Sequence, residues 1–192
     1  MQLSHYSDAE LIHAYQHGQE YALEVLINRY KDKVYTSIYM LVKDKYLAED
    51  LFQDAFLKMI KTIKDGRYAE QGKFLPWAIR VAHNLCMDHF RRVRQNVPVT
   101  LPDGQDISFL FTTDETPADG IERRQVHGSV RQLVEDLPEE QREVIVLRMY
   151  ADLSFKEISD LTGVSINTAL GRMRYALINL RKLMVDKQMV LR

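Results

Sequence analysis

The chain has only one cysteine, Cys86, and one tryptophan, Trp77, in 192 residues. A single thiol excludes an intrachain disulfide framework and any metal cage built from cysteine alone. Five prolines and eight glycines are too few for a collagen-like or Pro/Gly-rich disordered chain. No run of 18 apolar residues occurs, so no membrane-spanning helix is expected. Met1–Gln19 has no basic stretch followed by an apolar block, so no secretory signal is expected either. A nucleotide-binding glycine loop, a nucleophile motif and a paired-carboxylate signature are all missing, which argues against an enzyme. With 46% hydrophobic and 28% charged residues, the composition is that of a globular chain, large enough for one sizeable domain or two small ones. The expectation is a soluble cytoplasmic protein with no cofactor.

Net charge is also nearly absent: 26 basic residues against 27 acidic give −1. The distribution along the chain is less even than the total. Between Lys73 and Gln95, five basic residues (Lys73, Arg80, Arg91, Arg92, Arg94) face one acid, Asp88. From Ser165 onward, six (Arg172, Arg174, Arg181, Lys182, Lys187, Arg192) face only Asp186. Residues 96–119 lie between these stretches and carry five acids (Asp103, Asp106, Asp114, Glu115, Asp119) and no Lys or Arg. A basic–acidic–basic chain holds two positive footprints of the kind that bind phosphate backbones.

The acidic stretch holds Pro98, Pro102, Pro117 and Gly104 and has no helical period, so residues 96–120 read as a linker. Its Ile107–Phe111 patch is apolar enough to dock on something. Everything else reads as helix. Ser7–Glu10 is a capping box opening a helix to about His17. Helices follow over about Glu20–Val42, Leu47–Ile63 and Phe74–Arg94, the last with Pro76 tolerated in its first turn. Beyond the linker, helices are expected over Ile121–Glu135, Pro138–Tyr150, Ser154–Leu161 and Ser165–Asp186. The fold class is all-α: two small helical domains, 1–95 and 121–192, joined by the acidic linker.

Two patterns carry chemistry. A short capped helix, the turn Thr162-Gly163-Val164 and a basic second helix make a helix-turn-helix. Its second helix is thin enough for the DNA major groove, and its N-terminal part (Ser165, Asn167, Thr168, Gly171, Arg172, with Arg174 nearby) would meet base edges. The alternative is a helical hairpin with a solvated basic face. The other pattern lies on the Phe74–Arg94 helix, where Trp77, Arg80, Asn84, Asp88 and Arg91 share one face at steps of three and four. That face combines a stacking surface, base-edge hydrogen bonding and phosphate charge. The pattern alone leaves open a partly buried Trp beside a solvated polar face. Leu75, Ile79, Ala82, Cys86 and Phe90 supply the core side. His83, Cys86 and His89 do not converge on a metal, because the two imidazoles are about 120° apart around the axis. His13 and His17 face one way but lack supporting ligands. From the residues alone, a stand-alone regulator with a C-terminal helix-turn-helix remains the rival reading; a phospho-receiver's alternating strands and helices are missing from the N-terminal half.

Taken together, these motifs resemble an RNA polymerase sigma factor of the extracytoplasmic-function (ECF) group of the sigma-70 family. Leu47–Leu57 is similar to the core-binding helix of the sigma-2 domain. Phe74–Arg92 is similar to that domain's promoter-reading segment. Leu137–Arg142 and the helix-turn-helix behind it are similar to the sigma-4 domain. The resemblance implies an all-α promoter-specificity subunit without catalysis of its own. Asp50, Gln53 and Asp54, with Leu57 and Lys58 beside them, would dock on the clamp coiled coil of the core RNA polymerase. Trp77, Arg80, Asn84, Asp88, Arg91 and Arg92 would take the −10 element as parted single strands, with the loop Gly66–Lys73 pocketing a flipped base. Ser165, Asn167, Thr168, Leu170, Gly171, Arg172 and Arg174 would read the −35 element as duplex. The linker would thread toward the RNA exit path. An anti-sigma factor is implied as a further partner. This chain departs from the family at Leu170, Leu177 and Ile178, where charged residues are common, and at Gly171 inside the recognition helix. The expectation is therefore that −35 contact leans on Asn167, Thr168, Arg172 and Arg174, with Leu170 touching a thymine methyl instead of making a charged contact.

Overall fold

The computed structural model describes residues 5–69, 72–96 and 130–187. The expected linker and its Ile107–Phe111 patch lie outside these, apart from Asn96, as does the start of the helix expected from Ile121. Among the described residues there are helices and turns but no strand. After Arg92 the chain divides into two compact units, with the short segment Tyr150–Asp152 grouped with the first.

The first unit contains α1 (Asp8–Gln16), α2 (Glu20–Val42), α3 (Lys45–Lys64) and α4 (Phe74–Asn96). The Ser7 capping box forms as the Ser-x-x-Glu spacing requires: the Ser7 hydroxyl accepts from the Glu10 amide while the Glu10 carboxylate accepts from the Ser7 amide. α3 begins two residues earlier than its apolar stripe suggests, because the Asp44 side chain accepts from the Leu47 N–H and caps it. α4 runs on to Asn96, so the first residue assigned to the linker is helical. Asp8 ties α1 to α2, accepting from the Arg29 guanidinium and the Tyr30 hydroxyl, both at 2.6 Å. At the far end of α1, the Gln16 amide donates to the Ile63 carbonyl at the close of α3 (3.2 Å). Leu11, Leu26, Val34, Ile38, Met40, Met59, Ile63 and Ile79 are fully buried between these helices.

Cys86 sits in this core, and burial pushes its thiol from an ordinary 9.0 up to about 12. Tyr30 is pushed from 10.0 to about 12, by burial first and then by its hydrogen bond to the Asp8 carboxylate. Both groups hold their proton more tightly folded than unfolded. The stability they contribute is therefore complete below about pH 9 and is lost as pH rises toward 12. Two outcomes follow. The native thiol stays unreactive toward iodoacetamide at pH 8 until urea unfolds the chain, and the urea midpoint falls between pH 9 and 11.5. Rapid native-state labelling, or a flat midpoint, would contradict the burial.

The second unit contains α5 (residues 130–135 described), α6 (Glu139–Ile145), α7 (Phe155–Thr162) and α8 (Ile166–Asp186). The helix expected over Pro138–Tyr150 is not α-helical throughout. Pro138 is its N-cap, and Val146–Tyr150 forms a π-turn after α6. Arg142 is buried and donates to the Leu137 and Glu135 carbonyls at 3.1 and 3.4 Å, which closes the turn between α5 and α6. Burial pulls its guanidinium below the ordinary arginine range, while Glu139, Glu135 and Glu143 oppose the shift. α8 packs on α6 and α7 through Ala169 and Ala176, both fully buried. Polar ties hold it further: Asn179 donates to Gln141 (2.8 Å) and Lys187 pairs with Asp136 (2.6 Å).

Candidate functional site

Three faces can be built from these helices. On α3 the apolar stripe of Ala48, Leu51, Ala55, Phe56, Met59 and Ile63 is buried. Asp50, Gln53, Asp54, Leu57 and Lys58 are all exposed. The packing of the stripe fixes which way this second face points.

On α4, Leu75, Ala78, Ile79, Ala82 and Cys86 turn inward, leaving Arg80, Asn84, Arg91 and Arg92 exposed and Trp77 and Asp88 half-buried. Asp88 accepts from Arg91 at 2.7 Å one turn away, which fixes one guanidinium along the helix. Trp77 is part of an aromatic cluster. Its ring lies 4.5 Å from Tyr68 and 5.6 Å from Phe74, and Phe74 in turn lies 5.4 Å from Tyr30. Tyr68 comes from the loop before α4 and has no periodic signal, so the sequence pattern could not place it here. A half-buried indole held by two rings, with Arg80 exposed one turn on and Asn84 two turns on, can offer a stacking surface with one charge close by. His83 and Cys86 are buried in the opposite direction. No three His, Cys, Asp or Glu side chains among the described residues converge on a point.

On the second unit, α7 ends at Gly163, whose φ of +71° needs a residue without a Cβ. The Ser159 hydroxyl donates to the Val164 carbonyl (2.6 Å) across the turn. Ser165 then caps α8, accepting from the Thr168 N–H at 3.0 Å. Ser165, Asn167, Thr168, Leu170 and Arg174 are exposed. At Gly171 an added Cβ would meet nothing within 4 Å, so the chain's own packing does not require the glycine there. Arg172 is set apart from this group. Its side chain is only 25% exposed and pairs with Glu143 of α6 at 3.8 Å. Tyr175, 62% exposed, was missed by the sequence reading. It lies four residues after Gly171 and seven after Thr168, so helical spacing puts it on their face.

A helix-turn-helix unit and a helical unit with a basic, aromatic-bearing helix are the architecture of a class of transcription factor, and comparison with known proteins fits that class. Residues 26–96 match the family model of Sigma-70 region 2 and residues 127–175 that of Sigma-70, region 4. The chain is 26% identical over 176 residues to RNA polymerase sigma-H factor of Pseudomonas aeruginosa, covering 88% of this chain and 90% of that one. It is 27% identical over 174 residues to ECF RNA polymerase sigma factor SigW of Bacillus subtilis, covering 88% and 92%. Among solved structures, sigma factor RpoE of Bartonella quintana, crystallised with the anti-sigma factor NepR, shares the fold with a TM-score of 0.59 at 17% identity, covering 84% of this chain and 96% of that one. The chain belongs to the sigma-70 family of RNA polymerase sigma factors. Within that family it is of the ECF group, directing promoter-specific initiation of transcription. No described helix is long and apolar enough to cross a membrane.

Proposed function

We propose that the three faces divide the work of initiation. Residues 1–95 dock on core polymerase through Asp50, Gln53, Asp54, Leu57 and Lys58 of α3. The same segment holds the parted −10 strands on Trp77, Arg80, Asn84, Asp88, Arg91 and Arg92. Residues 121–192 read the −35 duplex with Ser165, Asn167, Thr168, Leu170 and Arg174, while Gly171 allows close backbone approach and Arg172 holds the recognition helix against α6. Residues 96–120 connect the two. The observation that carries this reading is the outward face of α4, where Arg80 and Asn84 are exposed one and two turns beyond the Trp77–Tyr68–Phe74 cluster and Arg91 and Arg92 are exposed about 21 Å along the helix from Trp77. Stacking combined with phosphate charge suits single strands, which a stand-alone duplex-binding regulator has no use for. The chain has no catalytic role of its own and acts in the cytoplasm, where the polymerase and its template are. An anti-sigma factor is its third partner, as NepR is for RpoE of Bartonella quintana.

The test is transcription from genomic DNA by core polymerase with and without the full chain, with the 5′ ends sequenced. The expected result is a discrete set of starts that depends on the chain. Asn84→Ala keeps core affinity and loses open complexes at those starts. If the chain binds promoter duplex tightly on its own and adds no starts to the polymerase, the regulator reading replaces this one.

A further inference from the structure

We infer that Tyr46 is a further docking residue for the polymerase, on the same line of α3 as Asp50, Gln53 and Leu57; this rests on the reading of α3 as the polymerase-binding helix. Tyr46 is 79% exposed and Leu57 64%, the highest values among the exposed large hydrophobic residues of α1 to α4. A single exposed apolar residue calls for no explanation, but these two are not independent. Tyr46, Asp50, Gln53 and Leu57 are spaced by four, three and four residues. On an α-helix they fall within an arc of about 60° and run about 16 Å along the axis. That spacing is the one through which a helix packs knobs into a second helix. The helix's other stripe, Ala48 to Ile63, is already buried in the core, so this seam faces outward.

The composition of the seam points to a particular occupant. It is apolar at both ends and polar between, so two side chains can be fully desolvated while an acid and an amide set register and reject wrong partners. Tyrosine suits the anchoring role because it presents a large, rigid face with few torsions to freeze. A second copy of this chain would set the Asp50 and Asp54 carboxylates of both copies together, which like charge disfavours. The seam is continuous with the polymerase-docking face proposed above, and its occupant is a helix of the core polymerase.

The experiment titrates core polymerase into dye-labelled full-length chain, reading anisotropy, for wild type, Tyr46→Ala, Tyr46→Phe and Asp54→Lys, with melting temperatures measured in parallel. Tyr46→Ala is expected to weaken binding at least about tenfold, as truncated anchors do, at an unchanged melting temperature. Tyr46→Phe restores wild-type affinity, because the ring makes the contact. If Tyr46→Ala binds like wild type while Asp54→Lys does not, Tyr46 is no anchor and the docking face stands without it. If Tyr46→Phe is as weak as Tyr46→Ala, the ring is not the contacting group and the inference also fails. If all three variants bind like wild type, α3 is not the docking helix and both readings fall.

Discussion

Replacing Asp50 and Asp54 together by lysine is expected to weaken binding to core polymerase at least about hundredfold while the chain keeps its fold. Both carboxylates are exposed, and neither lies on the buried stripe of α3. Lysine is as good a helix former as the residues around it, and surface changes of this kind move stability by only about 0.5 kcal/mol. At an interface the same change is far from neutral. It reverses two charges where the partner is complementary, and like-charge juxtaposition there costs several kcal/mol; about 2.8 kcal/mol is already a hundredfold. Equilibrium binding with circular dichroism in parallel checks both halves. If the double variant retains affinity within about threefold, the α3 face is not where polymerase sits; such a change is under 1 kcal/mol.

The second large effect falls on stability. Arg142→Ala destabilises the second unit by about 2–4 kcal/mol, the scale for removing a charged donor from buried carbonyls that then stay unpaired. The guanidinium donates to the carbonyls of Leu137 and Glu135, where α5 turns into α6. Burial disfavours its charge, and Glu135, Glu139 and Glu143 offset that cost. Alanine removes the charge, leaves the buried Leu137 carbonyl without this donor and opens a cavity. Both bonds leave from one nitrogen, Nη1; a lysine keeps the charge, but its ammonium is more strongly hydrated and sits on a shorter stem that does not reproduce this reach, so Arg142→Lys recovers only part of the loss. Urea unfolding followed at the second unit measures this. A midpoint shift worth less than about 0.5 kcal/mol would place Arg142 with ordinary surface residues.

Local chemistry could be read from the sequence wherever a signal is completed within a few residues. Both capping boxes need only Ser-x-x-Glu. The Gly163 turn needs only a residue free of Cβ strain, and α2 came out at Glu20–Val42, the limits its stripe gave. The features that were missed depend on partners far along the chain. The orientation of Arg172 is set by Glu143 on another helix. Tyr68 joins Trp77 and Phe74 from a loop that has no period to announce it. The π-turn at Val146–Tyr150 has residues that would serve equally in an α-helix, so packing decides it and composition does not. The site residues on α3, α4 and α8 were legible as faces, because a helix exposes whatever its buried stripe leaves out. That one member of a face also pairs with a neighbouring helix, as Arg172 does with Glu143, was not legible.

Ala169 and Ala176, two turns apart beneath α8, have a consequence for engineering. They are the buried residues of this helix, and with only a methyl at each of these two positions they let its backbone sit close to the helices beneath. Asn167, Thr168, Leu170 and Arg174 are exposed on the other side of the helix. If these positions read the promoter as proposed, substitutions confined to them are expected to change promoter preference on an unchanged chassis, provided the two small residues underneath are left alone.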